Sequence, residues 1–321
     1  MENARLIVIG AGVNGSAVAT RLFNGGVDVR VLARGPRYEF IRDEGIIIEN
    51  PFNHKRSVTR VPVIDRLDPE DIYDFVLVVV RKNQVADLLP VLAQNKSPNI
   101  VFMGNNLTGP EEFARVIDRQ RILLGTVVAG GKRDGQIIRA MISLPAASPF
   151  GEMDGTITPR LQRLVRLLKE GGIQAKVSTE MVDHQRTHAA GVAIIARLVM
   201  KYDCDLATLA RSRQDLYDFV KARQETQQVL RALGHKIVPQ SEENLRFIPA
   251  WLQVAAMRVL LRSRFGEVGL AYHVSQAPDE CERLAAELGL LVDRSGLAVP
   301  AIRRILRVEE RVGVRLEGEA K

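Results

Sequence analysis

Apolar residues in the first half of the chain fall in short unbroken runs, and in the second half they fall at helical spacing. Leu6-Ile7-Val8-Ile9 is a β-branched run of the kind found in a parallel strand buried on both faces. A helical pattern follows, with Ala17, Val18, Leu22 and Phe23 on one face, and Gly25-Gly26 stops it. Val27 to Leu32 alternates as a second strand. Ile46-Ile47-Ile48 and Val58 to Ile64 read as extra strands, and Asp74 to Val80 as the clearest buried strand in the chain. A helix with Val85, Leu88, Leu89 and Leu92 inward comes next. Asn99 to Met103 is a strand, the stretch from Pro110 a helix carrying Phe113, Val116 and Ile117, and Ile122 to Val128 a strand. Lys132 to Leu144 reads as a hairpin turning at Asp134-Gly135. A helix opens at Pro159, Gly171-Gly172 closes it, and Ile173 to Val177 is one more strand. Strand alternating with helix predicts a doubly wound α/β sheet.

From Thr179 the strand signals nearly vanish. Helical patterns cover Thr179 to Lys201, Gln214 to Gly234, Pro249 to Phe265, Asp279 to Leu291 and Pro300 to Val308, and a polar tail runs to Lys321. The expected organisation is a Rossmann-type domain over 1–178 and an all-α domain over 179–321 for substrate and dimer contacts.

Composition narrows the function classes. At 321 residues the chain can hold two domains. No apolar run reaches membrane-spanning length, and the start reads directly into a strand, so neither a signal peptide nor a membrane partner is expected. Cys204 and Cys281 lie far apart and form no C-x-x-C, which fits a reducing cytoplasm and gives no metal knuckle. The net charge of +7 is carried mostly by arginines at helical spacing, such as Arg160, Arg163 and Arg166, or Arg258, Arg262 and Arg264. These read as solvated helix faces. No aromatic residues interleave with them, so nucleic acid is not an expected partner.

The chemistry is concentrated after the first strand. Gly10, Gly12 and Gly15 have the G-x-G-x-x-G spacing of a dinucleotide fingerprint, in the strand–turn–helix context that motif requires. The first glycine permits the tight turn, the second lets a pyrophosphate approach the backbone, and the third lets the helix lie close to the strand. With Val13 and Asn14 these residues form the candidate cofactor loop, at a helix N-terminus that favours anions. An NAD site wants an acid at the end of the second strand, but Leu32-Ala33-Arg34-Gly35-Pro36-Arg37 has none. Arg34 is either a solvated loop cation or the partner of a 2′-phosphate, and its position predicts NADP(H). Arg81 and Asn105 follow strands, where ligands of such sheets bind.

These motifs resemble the ketopantoate reductases (2-dehydropantoate 2-reductases) along nearly the whole chain. The resemblance rests on the Gly10–Gly15 loop, on Arg34, on Gly125-Thr126 opening the later strand, and on Arg81 with Gln84 where the family has Lys and Gln. It also rests on Gly104-Asn105-Asn106 where the family has Gln-Asn-Gly. It implies an NADPH-binding Rossmann domain joined to a 6-phosphogluconate-dehydrogenase-like helical domain, a 2-oxo acid substrate and a place in pantothenate biosynthesis. It places Arg81 at the cofactor and substrate, and Asn105 beside the nicotinamide. His188 then falls where the family has its catalytic Lys, and Val192 and Ala196 fall where it has Asn. Glu280, ahead of Gly296-Leu297-Ala298-Val299-Pro300, fits the family's substrate-side Glu, while the family Ser falls near Val268 and is not kept. The substrate half is rewritten, which puts ketopantoate itself in question.

Reduction of a ketone needs a proton donor within reach. His184 and His188 lie one turn apart on one helix face, and either could donate or contact substrate, or both could be structural. The pair lacks the Glu of H-E-x-x-H, since Gln185 stands there, and no metal is expected. Should neither histidine serve, Glu280, Lys201 or bound water would remain as donors. An opine-type dehydrogenase and a non-catalytic NADP-binding protein are the alternatives, and a homodimer stays open.

Overall fold

The computed structural model describes residues 4–126, 129–141 and 147–307. The ends predicted for the strand at Val127-Val128, for the hairpin at Leu144 and for the last helix at Val308, together with the polar tail, lie outside the described residues.

The chain opens with β1 (Arg5–Ile9), α1 (Val13–Asn24), β2 (Asp28–Leu32) and α2 (Pro36–Glu44). Three short strands follow, β3 (Ile46–Glu49), β4 (Arg56–Thr59) and β5 (Val63–Ile64). Then come β6 (Phe75–Val78), α3 (Lys82–Gln94), β7 (Ile100–Phe102), α4 (Glu111–Ala114) and β8 (Ile122–Gly125). The hairpin β9 (Gly130–Asp134) and β10 (Ile137–Met141) leads to β11 (Ser148–Glu152), α5 (Pro159–Glu170) and β12 (Ala175–Val177).

Eight of these strands form one sheet in the order β12-β11-β8-β7-β6-β1-β2-β5. From β5 to β8 every pairing is parallel, and β11 joins antiparallel to β8. The chain moves outward from β1 through β2 to β5, then crosses back to β6. The crevice between β1 and β6 is therefore the topological switch point. Leu6, Ile7, Val8 and Ile9 are all at most 2% exposed, because helices cover both faces of the sheet. Leu6 and Val8 belong to the core on one side, Ile7 and Ile9 to the core on the other.

Three expectations change. Val58 to Ile64 is not one strand but two, in different sheets: β4 joins β3, β10 and β9 in a four-stranded sheet, while β5 extends the main one. Pro62 lies between them; it has no N–H, and its carbonyl accepts from Val31 N at 2.9 Å. The arginines of α5 are not simply a solvated face. Arg160 pairs with the buried Glu152 at 2.5 Å, and Arg163 pairs with Asp74 at 2.8 Å. Phe23, read as inward-facing, is exposed.

After β12 the described residues hold no further strand. The helices are α6 (Met181–Lys201), α7 (Leu206–Leu209), α8 (Arg213–Ala232), α9 (Gln240–Asn244), α10 (Ala250–Leu261) and α11 (Arg264–Gly266). A π-helical turn over Glu267–Ala271 carries α11 into α12 (Tyr272–Gln276), and α13 (Pro278–Ser295) and α14 (Pro300–Leu306) follow. None of these helices is long and apolar enough to cross a membrane. Their shared core includes Ala189, Ala193 and Ala196, small residues that let neighbouring helices approach α6 closely.

The buried Glu225 of α8 accepts from Ala301 N at 3.2 Å and Ile302 N at 2.8 Å, capping α14 from outside its own chain segment. Glu225→Ala should lower the unfolding free energy by about 1.5–3 kcal/mol, the scale of a hydrogen bond to a charged group. Urea denaturation of the two proteins measures this, and an unchanged midpoint would mean that water replaces the carboxylate.

Candidate functional site

The turn from β1 into α1 is built on two glycines that admit no other residue. Gly10 has φ +109°, and a Cβ there would collide with the Val79 carbonyl of the neighbouring strand. A Cβ on Gly15 would collide with the Gly10 carbonyl. Gly12 differs, because a Cβ there would meet nothing within 4 Å. The space over Gly12 and the uncapped N-terminus of α1 suit the pyrophosphate of a dinucleotide. Asn14 accepts from Ala129 N at 2.8 Å, tying the loop to the chain beyond β8.

A cavity of about 740 Å³ starts at this loop and runs between the sheet and the helical region. Gly10, Gly12, Val13, Asn14, Arg34, Arg81, Asn105, His188 and Glu280 all line it. The predicted residues are therefore brought together, with two exceptions. Gly15 lies beneath the loop, where its task is packing. His184 does not line the cavity; burial lowers its pKa to about 4, helped by His188 and Lys176, so its ring is neutral at neutral pH.

Three arginines line this end of the cavity, Arg34 and Arg37 after β2 and Arg133 on β9. Arg34 and Arg133 are exposed, whereas Arg37 is 7% exposed. Arg37 is held from below, donating to Ala11 O at 3.2 Å, Ser16 Oγ at 3.3 Å and Gln136 O at 2.6 Å. Burial, aided by Arg133, lowers its pKa to about 10, so it stays cationic at neutral pH.

Across the cavity, the start of α3 meets the start of α13. Glu280, 4% exposed, accepts from Lys82 N at 3.2 Å and from Asn105 Nδ2 at 3.3 Å. A carboxylate at the N-terminus of α3 is favoured by the helix dipole. The Arg81 guanidinium is held by the Gln276 carbonyl and lies 3.8 Å from Asp279. It thus bridges sheet and helices as well as lining the cavity. Lys82 points the other way, 6% exposed, toward Asn106 Oδ1 and Thr108 Oγ1, each at 3.2 Å, and the Glu112 carboxylate. Burial lowers its pKa to about 8, and the ammonium remains the major form at neutral pH. It fixes the loop that presents Asn105.

His188 stands on α6 opposite these groups. Burial lowers its pKa; Glu242 opposes that and His273, on α12, adds to it. His273 lines the same cavity. Gln185, one turn before, donates to Gly125 O at 3.0 Å, Phe102 O at 3.3 Å and Gly104 O at 3.4 Å. That side chain anchors α6 to the ends of β7 and β8 and so sets where His188 faces. Among the described residues no group of three His, Cys, Asp or Glu could hold a metal ion.

The family described as Ketopantoate reductase PanE/ApbA matches residues 6–153. Over these residues the chain is similar to the ketopantoate reductases. These are oxidoreductases acting on CH–OH or C=O groups. The similarity of fold extends further. The 2-dehydropantoate 2-reductase of Geobacter metallireducens GS-15 is 16% identical with a TM-score of 0.74, covering 94% of this chain and 97% of its own. The Methylococcus capsulatus enzyme of that name is 19% identical with a TM-score of 0.69, covering 94% of each chain. D-mandelate dehydrogenase, solved with NADH and anilino(oxo)acetate, is 15% identical with a TM-score of 0.74, covering 94% and 96%. No curated protein sequence matches the chain.

Within the matched residues, sequence reasoning passed over Arg37, Lys82 and Arg133. Arg37 and Lys82 sit next to residues it did single out, but a charged residue after a strand gives no sign of which way it points. Gln185 had a usable signal, being a polar residue at the inward spacing of an apolar helix.

Gly12→Ala and Gly15→Ala should fail differently. Gly12→Ala should melt like the parent and lose dinucleotide affinity, while Gly15→Ala should lower the melting temperature as well. Thermal melts with NADPH titration by fluorescence separate the two, and equal melting of both variants would refute the packing role of Gly15.

Proposed function

We propose that the chain is an NADPH-dependent reductase of a 2-oxo acid. The observation that carries the reading is the single cavity, which joins the glycine loop and three arginines at one end to Asn105, Arg81, Glu280 and His188 at the other. The bound cofactor supplies a hydride to the oxo carbon. The chain supplies the rest. Gly12 and the α1 N-terminus receive the pyrophosphate, and the guanidinium groups of Arg34 and Arg37 suit a 2′-phosphate. Arg81, exchanging the Gln276 carbonyl for substrate, offers a two-pronged donor to a carboxylate. Asn105 Nδ2 is held by Glu280 so that the amide faces the cavity. His188 completes the balance: its imidazolium gives a proton to the alkoxide oxygen, and in the reverse direction its neutral ring takes the proton from the alcohol. Cys204 and Cys281 are free thiols, in keeping with a reducing compartment such as the cytoplasm.

Loss of NADPH absorbance with a panel of 2-oxo acids tests the reading, and a protein that binds NADPH but turns over none of them would overturn it. Arg34→Ala should weaken NADPH by about 1.5–3 kcal/mol and leave NADH nearly unchanged. Equal losses for both cofactors would count against the 2′-phosphate role.

The pH dependence has a definite sign. Oxidation of the hydroxy acid needs neutral His188, so its kcat/KM should rise with pH and level off below the ordinary histidine value of about 6.5. Reduction needs the protonated ring and should fall with rising pH. His188→Ala should abolish both slopes and cost about 10²–10⁴-fold in turnover. Retained slopes with wild-type turnover would show that the proton comes from another group.

A further inference from the structure

The cavity wall changes character along α6. Gln185 is tied to the strand ends near Asn105, and His188 comes one turn later. Beyond it Val192, Ile195 and Ala196 continue the same helix face, all lining the cavity. The opposite wall is the segment from the π-helical turn into α12, which contributes Leu270 and Val274. Val192, Ile195 and Leu270 each keep part of their surface accessible, although the helices around them are packed into a common core. Polar groups that could hold an oxo acid head, namely Arg81, Asn105 and His188, lie at the other end of this stretch. His273, three residues after Leu270 and directly before Val274, also lines the cavity.

We infer that the oxo acid taken by this site carries a bulky apolar substituent, branched or aromatic, with no distal hydroxyl. This rests on the reductase reading above and specifies its substrate class. The head group is gripped at the strand ends and the substituent lies along α6 against Val192, Ile195 and Leu270. An apolar substituent gives up water there for van der Waals contact. A distal hydroxyl in the same place would lose its water without a partner, since these three side chains have neither donor nor acceptor. A pocket of this kind discriminates about 10–200-fold per methylene group.

The test uses the intact protein in two arms. In the first, kcat/KM is measured for pyruvate, 4-methyl-2-oxopentanoate, phenylpyruvate, 3,3-dimethyl-2-oxopentanoate and 2-dehydropantoate, the last replacing a terminal methyl by a hydroxyl. In the second, calorimetry follows binding of unreactive oxamates to the NADP-loaded protein: oxamate, N-isobutyl oxamate, N-phenyl oxamate and N-hydroxyethyl oxamate. The expected result is at least a tenfold advantage of the branched and aromatic compounds over pyruvate and oxamate. 3,3-Dimethyl-2-oxopentanoate should lead 2-dehydropantoate by about 10²-fold. Val192→Asn should narrow that gap and weaken N-isobutyl oxamate about tenfold, and the wild-type oxamate series decides the matter if that variant does not fold. Equal or better use of the hydroxylated compounds would overturn this inference and leave the reductase reading standing. No turnover of any oxo acid, with no oxamate bound, would overturn both.

Discussion

The site depends on one buried carboxylate. Glu280 begins α13, yet its oxygen accepts from the backbone N–H that begins α3 and from the amide that follows β7. Three segments distant in sequence are thereby held at one point. A carboxylate suits the task because it only accepts hydrogen bonds, and both neighbours donate. Behind it the Lys82 ammonium gathers Asn106, Thr108 and Glu112, so the loop carrying Asn105 is held from both sides. Removing the carboxylate would leave the Asn105 amide free to turn and the α3 N-terminus without its anion. The contact thus couples the joining of sheet and helices to the aim of a cavity residue.

Helix α6 has a similar double task. Its alanines pack among the other helices, and Gln185 binds the carbonyls at two strand ends. Because those carbonyls belong to the sheet, the rotation of α6 about its axis is set by the sheet. His188 and the apolar residues beyond it face the cavity as a result. The two histidines, one turn apart, have different surroundings: His188 lines the cavity and His184 does not.

The sheet was legible because strands covered on both faces need unbroken apolar runs, and Leu6 to Ile9 and Phe75 to Val78 supply them. The glycine spacing was legible because close backbone approach has few solutions. Helix α2 was not, since only Arg37 and Ile41 among its residues are buried and no apolar stripe marks it. The stretch from Arg264 to Gln276 was hidden for another reason, as its π-helical turn interrupts the helical period on which the pattern depends. Buried and half-buried cations were the main loss. Arg37, Lys82 and Arg160 look in sequence like any solvated basic residue, and only the acceptors folded around them show otherwise.

The three glycines of the first turn carry different histories of constraint. Gly10 and Gly15 are locked by the collision each added carbon would cause, so any chain with this turn must retain them, whatever it does. Gly12 has room around it and an ordinary backbone conformation. A lineage that abandoned the dinucleotide could let that position drift at no cost to folding. Glycine at position 12 is thus a mark of use rather than of architecture, and in chains of this fold the middle glycine should be the first of the three to disappear when the cofactor does.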